Sequence, residues 1–183
     1  MRLFQSNASP KYRLPEKVLR SDCRFEESGS RVLGIDPAAN LAEVAAARGL
    51  PTLVRFFTRE VAEDVLKAYG QADIVVARNV IPHVKEIHSV IDGIAALLGS
   101  TATGIIEFHD TTLILNELQY DYIYHEHLFY YSLASIGSLL YQYGLTVYDV
   151  ARSPISGGSW VIYFSILQKE KLCQKKKIIH KKK

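Results

Sequence analysis

Asp73-Ile74-Val75-Val76-Ala77-Arg78-Asn79-Val80 is the stretch that decides the fold. Its centre is apolar without alternation, as expected of a strand covered on both faces in a parallel sheet. On its N-terminal side, Thr58 is placed to cap a helix, with Glu60 in the first turn and Val61, Val65 and Leu66 turned inward. On its C-terminal side, the spacing of Val84, Ile87, Val90, Ile91 and Ile94 predicts an amphipathic helix over 83–98, ended by Gly99. The next strand is predicted at 104–108 and leads into His109-Asp110.

Further back, Val32-Leu33-Gly34-Ile35 reads as a buried strand ending in Asp36. A helix follows from about Asn40, its apolar face drawn from Leu41, Val44, Ala45 and Ala47, and Gly49 closes it. Residues 51–57 read as a second strand. Further on, Ser132 caps a helix to Tyr143, Gly144 stops it, and strands follow at 145–150 and 160–164. The loop between these two strands is too short for a helical crossover, so they should pair antiparallel. Strands alternating with helices give an α/β sheet, mostly parallel with an antiparallel C-terminal strand pair. Ligands in such sheets sit at the carboxyl ends of the strands. Asp36, Asn79, His83, His109 and the segment 120–131 all fall there.

That segment, Tyr120-Asp121-Tyr122-Ile123-Tyr124-His125-Glu126-His127-Leu128-Phe129-Tyr130-Tyr131, holds five tyrosines, two histidines and two acids in twelve residues. Each phenol, imidazole or carboxylate taken from water needs a partner, so such density is costly without a use. Tyr120 and Tyr130 read as interface tyrosines with wet tips. The core Tyr124-His125-Glu126-His127 puts imidazoles beside a carboxylate and a phenol, a ready acid/base set. A metal site built from His125 and His127 with His109 or His83 is the rival reading, since alternate residues of an extended segment share a side.

The bulk numbers bound the class. At 183 residues, 48% hydrophobic and 22% charged, the chain has room for one domain with a sizeable core. The net charge of +3 belongs to the tail: residues 169–183 carry eight lysines and one glutamate, and the rest has 14 basic against 18 acidic residues. The body shows no basic footprint for nucleic acid, and the tail reads as solvated charge. No apolar run reaches the ~18 residues of a membrane span, and no secretory leader pattern opens the chain, so a soluble cytoplasmic protein is expected. Two cysteines, Cys23 and Cys173, support neither a disulfide framework nor a cysteine zinc site.

Four motifs in order carry a resemblance over about residues 29–163. They are Gly34-Ile35-Asp36-Pro37-Ala38-Ala39-Asn40, then Asn79-Val80-Ile81-Pro82-His83-Val84, then Tyr124-His125-Glu126-His127 with Tyr130-Tyr131-Ser132-Leu133, and finally Gly157-Gly158-Ser159. Together they resemble the S-adenosylmethionine-dependent sugar C-methyltransferases. The resemblance implies a class I methyltransferase (Rossmann-like) sheet and methylation of a nucleotide-linked keto-deoxysugar at the carbon next to the ketone. It implies His127 as the base, with Tyr124 sharing proton transfer or stabilising the enolate oxygen, and Glu126 and His83 holding substrate or polarising the reacting groups. Asp36, with Pro37 beside it, would take the cofactor ribose, and Phe57, Asn79 and Val80 would line its adenine and methionine portions.

The family pattern is incomplete at both ends. Its cysteine-rich zinc module, first strand and Gly-rich loop should precede Phe25, yet only Arg24-Phe25-Glu26-Glu27-Ser28-Gly29 resembles the helix after that loop. An arginine often found two residues after Gly-Gly-Ser is Val161 here. The expected organisation is an anomalous segment 1–28, with at most a short helix around 16–20, a partial methyltransferase domain 29–165, and a Lys-rich disordered tail 166–183. A chain truncated in this way could also be a non-catalytic remnant that binds a sugar nucleotide or a protein partner. The sequence assigns neither a particular sugar nor an oligomeric state.

Overall fold

The computed structural model describes residues 2–5 and 30–167. The expectations for the zinc module, the Gly-rich loop, the helix around 16–20 and the tail beyond 167 lie outside these residues. One seven-stranded sheet runs through the molecule in the order β3-β2-β1-β4-β5-β7-β6. Its strands are β1 (Arg2–Gln5), β2 (Arg31–Ile35), β3 (Thr52–Leu53), β4 (Ala72–Arg78), β5 (Leu98–His109), β6 (Leu145–Ser153) and β7 (Ser159–Ile166). The helices are α1 (Ala39–Ala46), α2 (Arg59–Tyr69), α3 (Ile87–Leu97), α4 (Thr111–Asn116) and α5 (Leu133–Gln142).

The parallel pairings β2–β3 and β4–β5 and the antiparallel pairing of β6 with β7 match the sequence reading. β7 is also antiparallel to β5. The antiparallel part nevertheless extends beyond the C-terminal pair. β1 lies between β2 and β4 and runs antiparallel to both, with Arg2 beside Gly34 on one side and Val76 on the other. β2, β3, β4, β5 and β6 therefore share one direction, which β1 and β7 oppose.

Alternation along the buried strands divides the core in two. Leu33, Ile35, Val75, Ala77, Ile106, Phe108, Ile162 and Phe164 face α2, α3 and α5, which contribute Val61, Val65, Val90, Ile91, Ile94, Ile136 and Leu140. On the opposite face Val32, Val76, Ile105 and Val161 meet Ala45 of α1 and Leu50. Thr58 caps α2 by accepting from Val61 N–H at 3.4 Å, and Ser132 caps α5 in a reciprocal arrangement with Ser135.

Several element boundaries differ from the sequence reading. Leu41 and Val44 are exposed, each at 53%, while Ala42 and Ala45 are buried. The small residues let α1 approach the sheet closely, and that packing selects the alanine face over the larger side chains. The strand expected at 51–57 is confined to Thr52–Leu53, an edge pairing with β2 that ends where Arg55 N–H turns back to the Leu53 carbonyl. The helix expected from His83 begins at Ile87, because Ile81–His83 first form a 3-10 turn with Pro82 in its first positions. Gly99 lies within β5, which starts directly at Leu98.

Gly104 of β5 stands across from Phe164 of β7, and the buried Phe164 ring covers the glycine. A Cβ at 104 would fall inside that ring. Gly104→Ala should therefore destabilise the domain by about 1–3 kcal/mol in chemical denaturation. The cost should shrink when Phe164 is first replaced by leucine; equal costs in the two backgrounds would show that the ring is not the obstacle.

Candidate active site

The carboxyl ends of β2, β3, β4 and β5 make one edge of the sheet, and the residues expected to meet the cofactor lie along it. Asp36 follows β2 and is half-buried; its Oδ1 accepts from the Ala38 N–H at 2.9 Å, an Asx turn that leaves the other oxygen without a hydrogen-bond partner among the described residues. Pro37 beside it is exposed. Asn79 follows β4 with a left-handed backbone, φ 50°, and donates its N–H to the Glu107 carbonyl at 3.1 Å, so its side chain stands exposed just past the ladder. Val80 is half-buried. One strand separates β2 from β4, which sets Asp36 and Asn79 about 10 Å apart along the edge. Phe57 is placed differently from the others: its ring packs on the core against Gly93 of α3, and the bare ring is that of Phe56, 76% exposed.

Past this edge the chain builds the His-rich loop from three ties. The Pro82 carbonyl accepts from Leu128 N–H at 2.9 Å and from Phe129 N–H at 3.2 Å. The Tyr131 carbonyl accepts from the backbone and hydroxyl of Thr111 at 3.1 and 2.8 Å. Tyr131 is buried, and burial pushes its phenol up to about 12. Tyr124 to His127 is a tight turn closed by His127 N–H to the Tyr124 carbonyl at 3.0 Å. The His125-x-His127 pair is thus not extended, as a metal reading assumed: a turn rotates successive side chains apart. Among the described residues, no three His, Cys, Asp or Glu side chains are grouped to hold a metal ion.

Within that turn the contacts of His127 are specific. Its Nδ1 lies 2.8 Å from the Tyr122 carbonyl oxygen and its Nε2 lies 3.0 Å from the Tyr124 hydroxyl. A carbonyl oxygen can only accept, so Nδ1 carries the proton and Nε2 presents its lone pair to the Tyr124 O–H. The His127 and Tyr124 ring centroids are 4.2 Å apart. His83 also approaches His127, with centroids 4.7 Å apart, and its Nδ1 lies 2.9 Å from the Glu126 backbone carbonyl. His83, Tyr124 and His127 therefore converge. The Glu126 side chain is exposed at the tip of the turn and joins the group through its backbone.

Beneath the loop, β5 ends in buried polar groups that sequence spacing did not connect to it. Glu107, wholly buried, pairs through Oε2 with Arg78 Nε at 2.6 Å, and its Oε1 has no partner among the described residues. Val161, where the resembled family often has arginine, is buried directly across from Glu107 in the β5–β7 register. His109, 8% exposed, meets Gln119 Oε1 through Nε2 at 2.9 Å and the edge of the Tyr122 ring at 4.0 Å between centroids. Burial holds the His109 imidazole below its usual range, the Gln119 bond and Asp110 oppose that, and nearby His127 adds to it. Burial raises the Asp110 carboxyl, but the Thr112 N–H and Arg152 outweigh it and hold the group below the usual range. Arg152, 2.8 Å from Asp110 Oδ2, stacks its guanidinium 3.5 Å over the Trp160 ring. Gln119, Tyr122 and Arg152 were not singled out from sequence, since a lone glutamine or arginine carries no spacing signal.

Comparison with known proteins places this geometry in a family. A family model described as a methyltransferase domain matches residues 21–150. C-methyltransferase NovU of Streptomyces niveus is 40% identical over 139 residues, a match covering 76% of this chain and 33% of NovU. The chain thus spans about a third of the length of that curated relative. Among solved structures, the Burkholderia thailandensis 1,6-didemethyltoxoflavin-N1-methyltransferase with S-adenosylhomocysteine bound superposes with a TM-score of 0.57 at 16% identity, over 81% of this chain and 67% of that one. The Synechocystis magnesium protoporphyrin IX methyltransferase superposes with a TM-score of 0.53 at 15% identity, over 72% and 62%. At such identities the likeness is one of fold: the α/β sheet expected from the alternation of strands and helices, and the Rossmann-like form that the resemblance implied. The match over residues 21–150, on a sheet of this architecture, shows that the chain belongs to the methyltransferase-domain family.

Proposed function

We propose that the domain is an S-adenosylmethionine-dependent C-methyltransferase acting at the carbon next to the ketone of a nucleotide-linked keto-deoxysugar. The observation that carries this reading is the clamped imidazole of His127, with Nδ1–H on the Tyr122 carbonyl and the Nε2 lone pair toward Tyr124. Carbon methylation differs from methylation of oxygen or nitrogen in needing a base strong and well placed enough to take a C–H proton. The likeness to NovU, a C-methyltransferase by name, supports the same class.

The residues along the carboxyl edge fit the cofactor. The Asp36 carboxylate suits ribose hydroxyls, and exposed Asn79 reaches beyond the ladder where the methionine portion would lie. When bound, S-adenosylmethionine supplies an electrophilic methyl group on sulfonium sulfur. His127 Nε2 takes the proton α to the ketone as the C–H electron pair moves into an enolate. For this the Tyr124 hydroxyl must first turn from Nε2, freeing its one lone pair, and the turned O–H then donates to the developing oxyanion. His83, packed against His127, steadies the base and presents a second polar edge to the substrate. Tyr124 is exposed and His127 half-buried, so the pair is open to a ligand from one side.

Calorimetric titration of S-adenosylhomocysteine tests the cofactor half. Binding should weaken about tenfold or more in Asp36→Ala, the loss of charge-assisted hydrogen bonds to ribose. A folded chain that does not bind it would point instead to a non-catalytic descendant. The chemical half is read by exchange of the substrate α-proton with deuterated solvent. His127→Asn should slow exchange by roughly 100-fold to 10,000-fold while S-adenosylhomocysteine affinity stays unchanged. Exchange at the wild-type rate in that variant would remove His127 from the base role.

A further inference from the structure

One buried imidazole touches both ends of the turn that leads into the His-rich loop. Gln119 precedes the 3-10 turn Tyr120–Tyr122 and Tyr122 ends it. His109 reaches Gln119 through Nε2 at 2.9 Å and meets the Tyr122 ring edge-on, at 4.0 Å between centroids and 89° between planes. The Gln119 amide nitrogen is occupied elsewhere, donating to Glu117 Oε2 at 2.7 Å and toward the Gly157 carbonyl at 3.5 Å, so its oxygen is what faces His109. An amide oxygen only accepts; His109 Nε2 must therefore carry the proton. Its Nδ1, buried and without a partner among the described residues, then holds the lone pair. A charged His109 would bury an unpaired N–H beside His127.

The geometry points to His109 and Gln119 as positioning residues. The neutral imidazole grips both ends of the turn 119–122 and so holds the Tyr122 carbonyl where it keeps His127 protonated at Nδ1, with the Nε2 lone pair toward Tyr124. The inference deepens the catalytic reading above and rests on His127 being the base. Four linked contacts make the chain of action explicit: Gln119 to His109, His109 to Tyr122, Tyr122 carbonyl to His127, His127 to Tyr124. Only the last two touch the reacting centre. A histidine ring turned about its Cβ–Cγ bond, or in its other tautomer, would point a proton at the substrate instead of a lone pair.

Long-range proton–nitrogen correlation spectra of the ¹⁵N-labelled chain at mildly alkaline pH test this without substrate or cofactor. The six imidazoles are assigned by single His→Gln replacements. Wild type should show His109 protonated at Nε2 and His127 at Nδ1. Gln119→Leu removes the acceptor and Tyr122→Leu removes the ring edge but keeps the carbonyl. In each, His127 should become a tautomer mixture, about half of each form. Gln119→Glu, which retains an acceptor, should restore the single form. His127 remaining wholly Nδ1-protonated in either folded leucine variant would overturn the inference, as would a wild-type His109 protonated at Nδ1. In a chain that turns over, Gln119→Leu should lower kcat about tenfold with KM held. Loss of the catalytic reading would appear separately, as absent α-proton exchange in a chain whose tautomers are as described.

Discussion

A strand buried from Gly104 to its end cannot finish in ionisable residues unless each finds a partner, and the polar end of β5 organises the site on that account. Glu107, His109 and Asp110 are all buried. Each draws its partner from a different part of the chain: Arg78 from β4, Gln119 from the segment after α4, and Arg152 from β6. An unpaired polar group in a sheet interior costs of order 1–3 kcal/mol, more when charged. Satisfying these three therefore pulls three distant segments onto one strand end. Asp110 also caps α4 through the Thr112 N–H, so the same carboxylate fixes the start of the helix that leads to Gln119. The His-rich loop is laid over this buried polar strand end.

How much of this was legible in the sequence follows from the range of each interaction. The buried strands at 32–35, 73–77 and 104–108, the helix caps at Thr58 and Ser132, and the antiparallel final pair depend on local pattern, and all are present. The face presented by α1 was misjudged because its apolar residues, Leu41, Ala42, Val44 and Ala45, satisfy two helical registers, and only closeness to the sheet decides between them. The placement of Arg2–Gln5 between β2 and β4 is a long-range pairing that four residues cannot signal. Tyr124, His127 and His83 were expected as a set, with Glu126, only through the family resemblance. The turn that unites Tyr124 with His127 was not, since an extended and a turned Tyr-His-Glu-His share one composition. Gln119 and Tyr122 were invisible as partners of His109 for the same reason: their meaning lies in the fold.

The incoming β1 also changes how the carboxyl edge must work. A parallel strand in that slot would leave the sheet at this edge and feed a loop into it, whereas β1 enters here, with Arg2 alongside Gly34 and Val76. The groups the described residues bring to the edge are then Asp36 from β2 and Asn79 from β4, on either side of that slot. In the function proposed above, a cofactor lying along this edge would meet a carboxylate and an amide on either side of the slot. The half of the site that holds His127 is independent of this slot, being tied to Pro82, Thr111 and β5.

Backbone strain falls where these ties converge. Two non-glycine residues among those described have positive φ, Asn79 at 50° and Leu118 at 52°. Asparagine tolerates that conformation; leucine does so at a cost of roughly 1 kcal/mol or more, and Leu118, 77% exposed, has no burial to offset it. The left-handed residue ends α4 and lets Gln119 N–H close back on the Ile114 carbonyl at 3.0 Å, the bond of a helix terminus that glycine normally makes. That closure reverses the chain and sends the Gln119 side chain toward His109. The hydrogen bond at 119 offsets part of the strain at 118, and the positioning role inferred above for Gln119 rests on this closure.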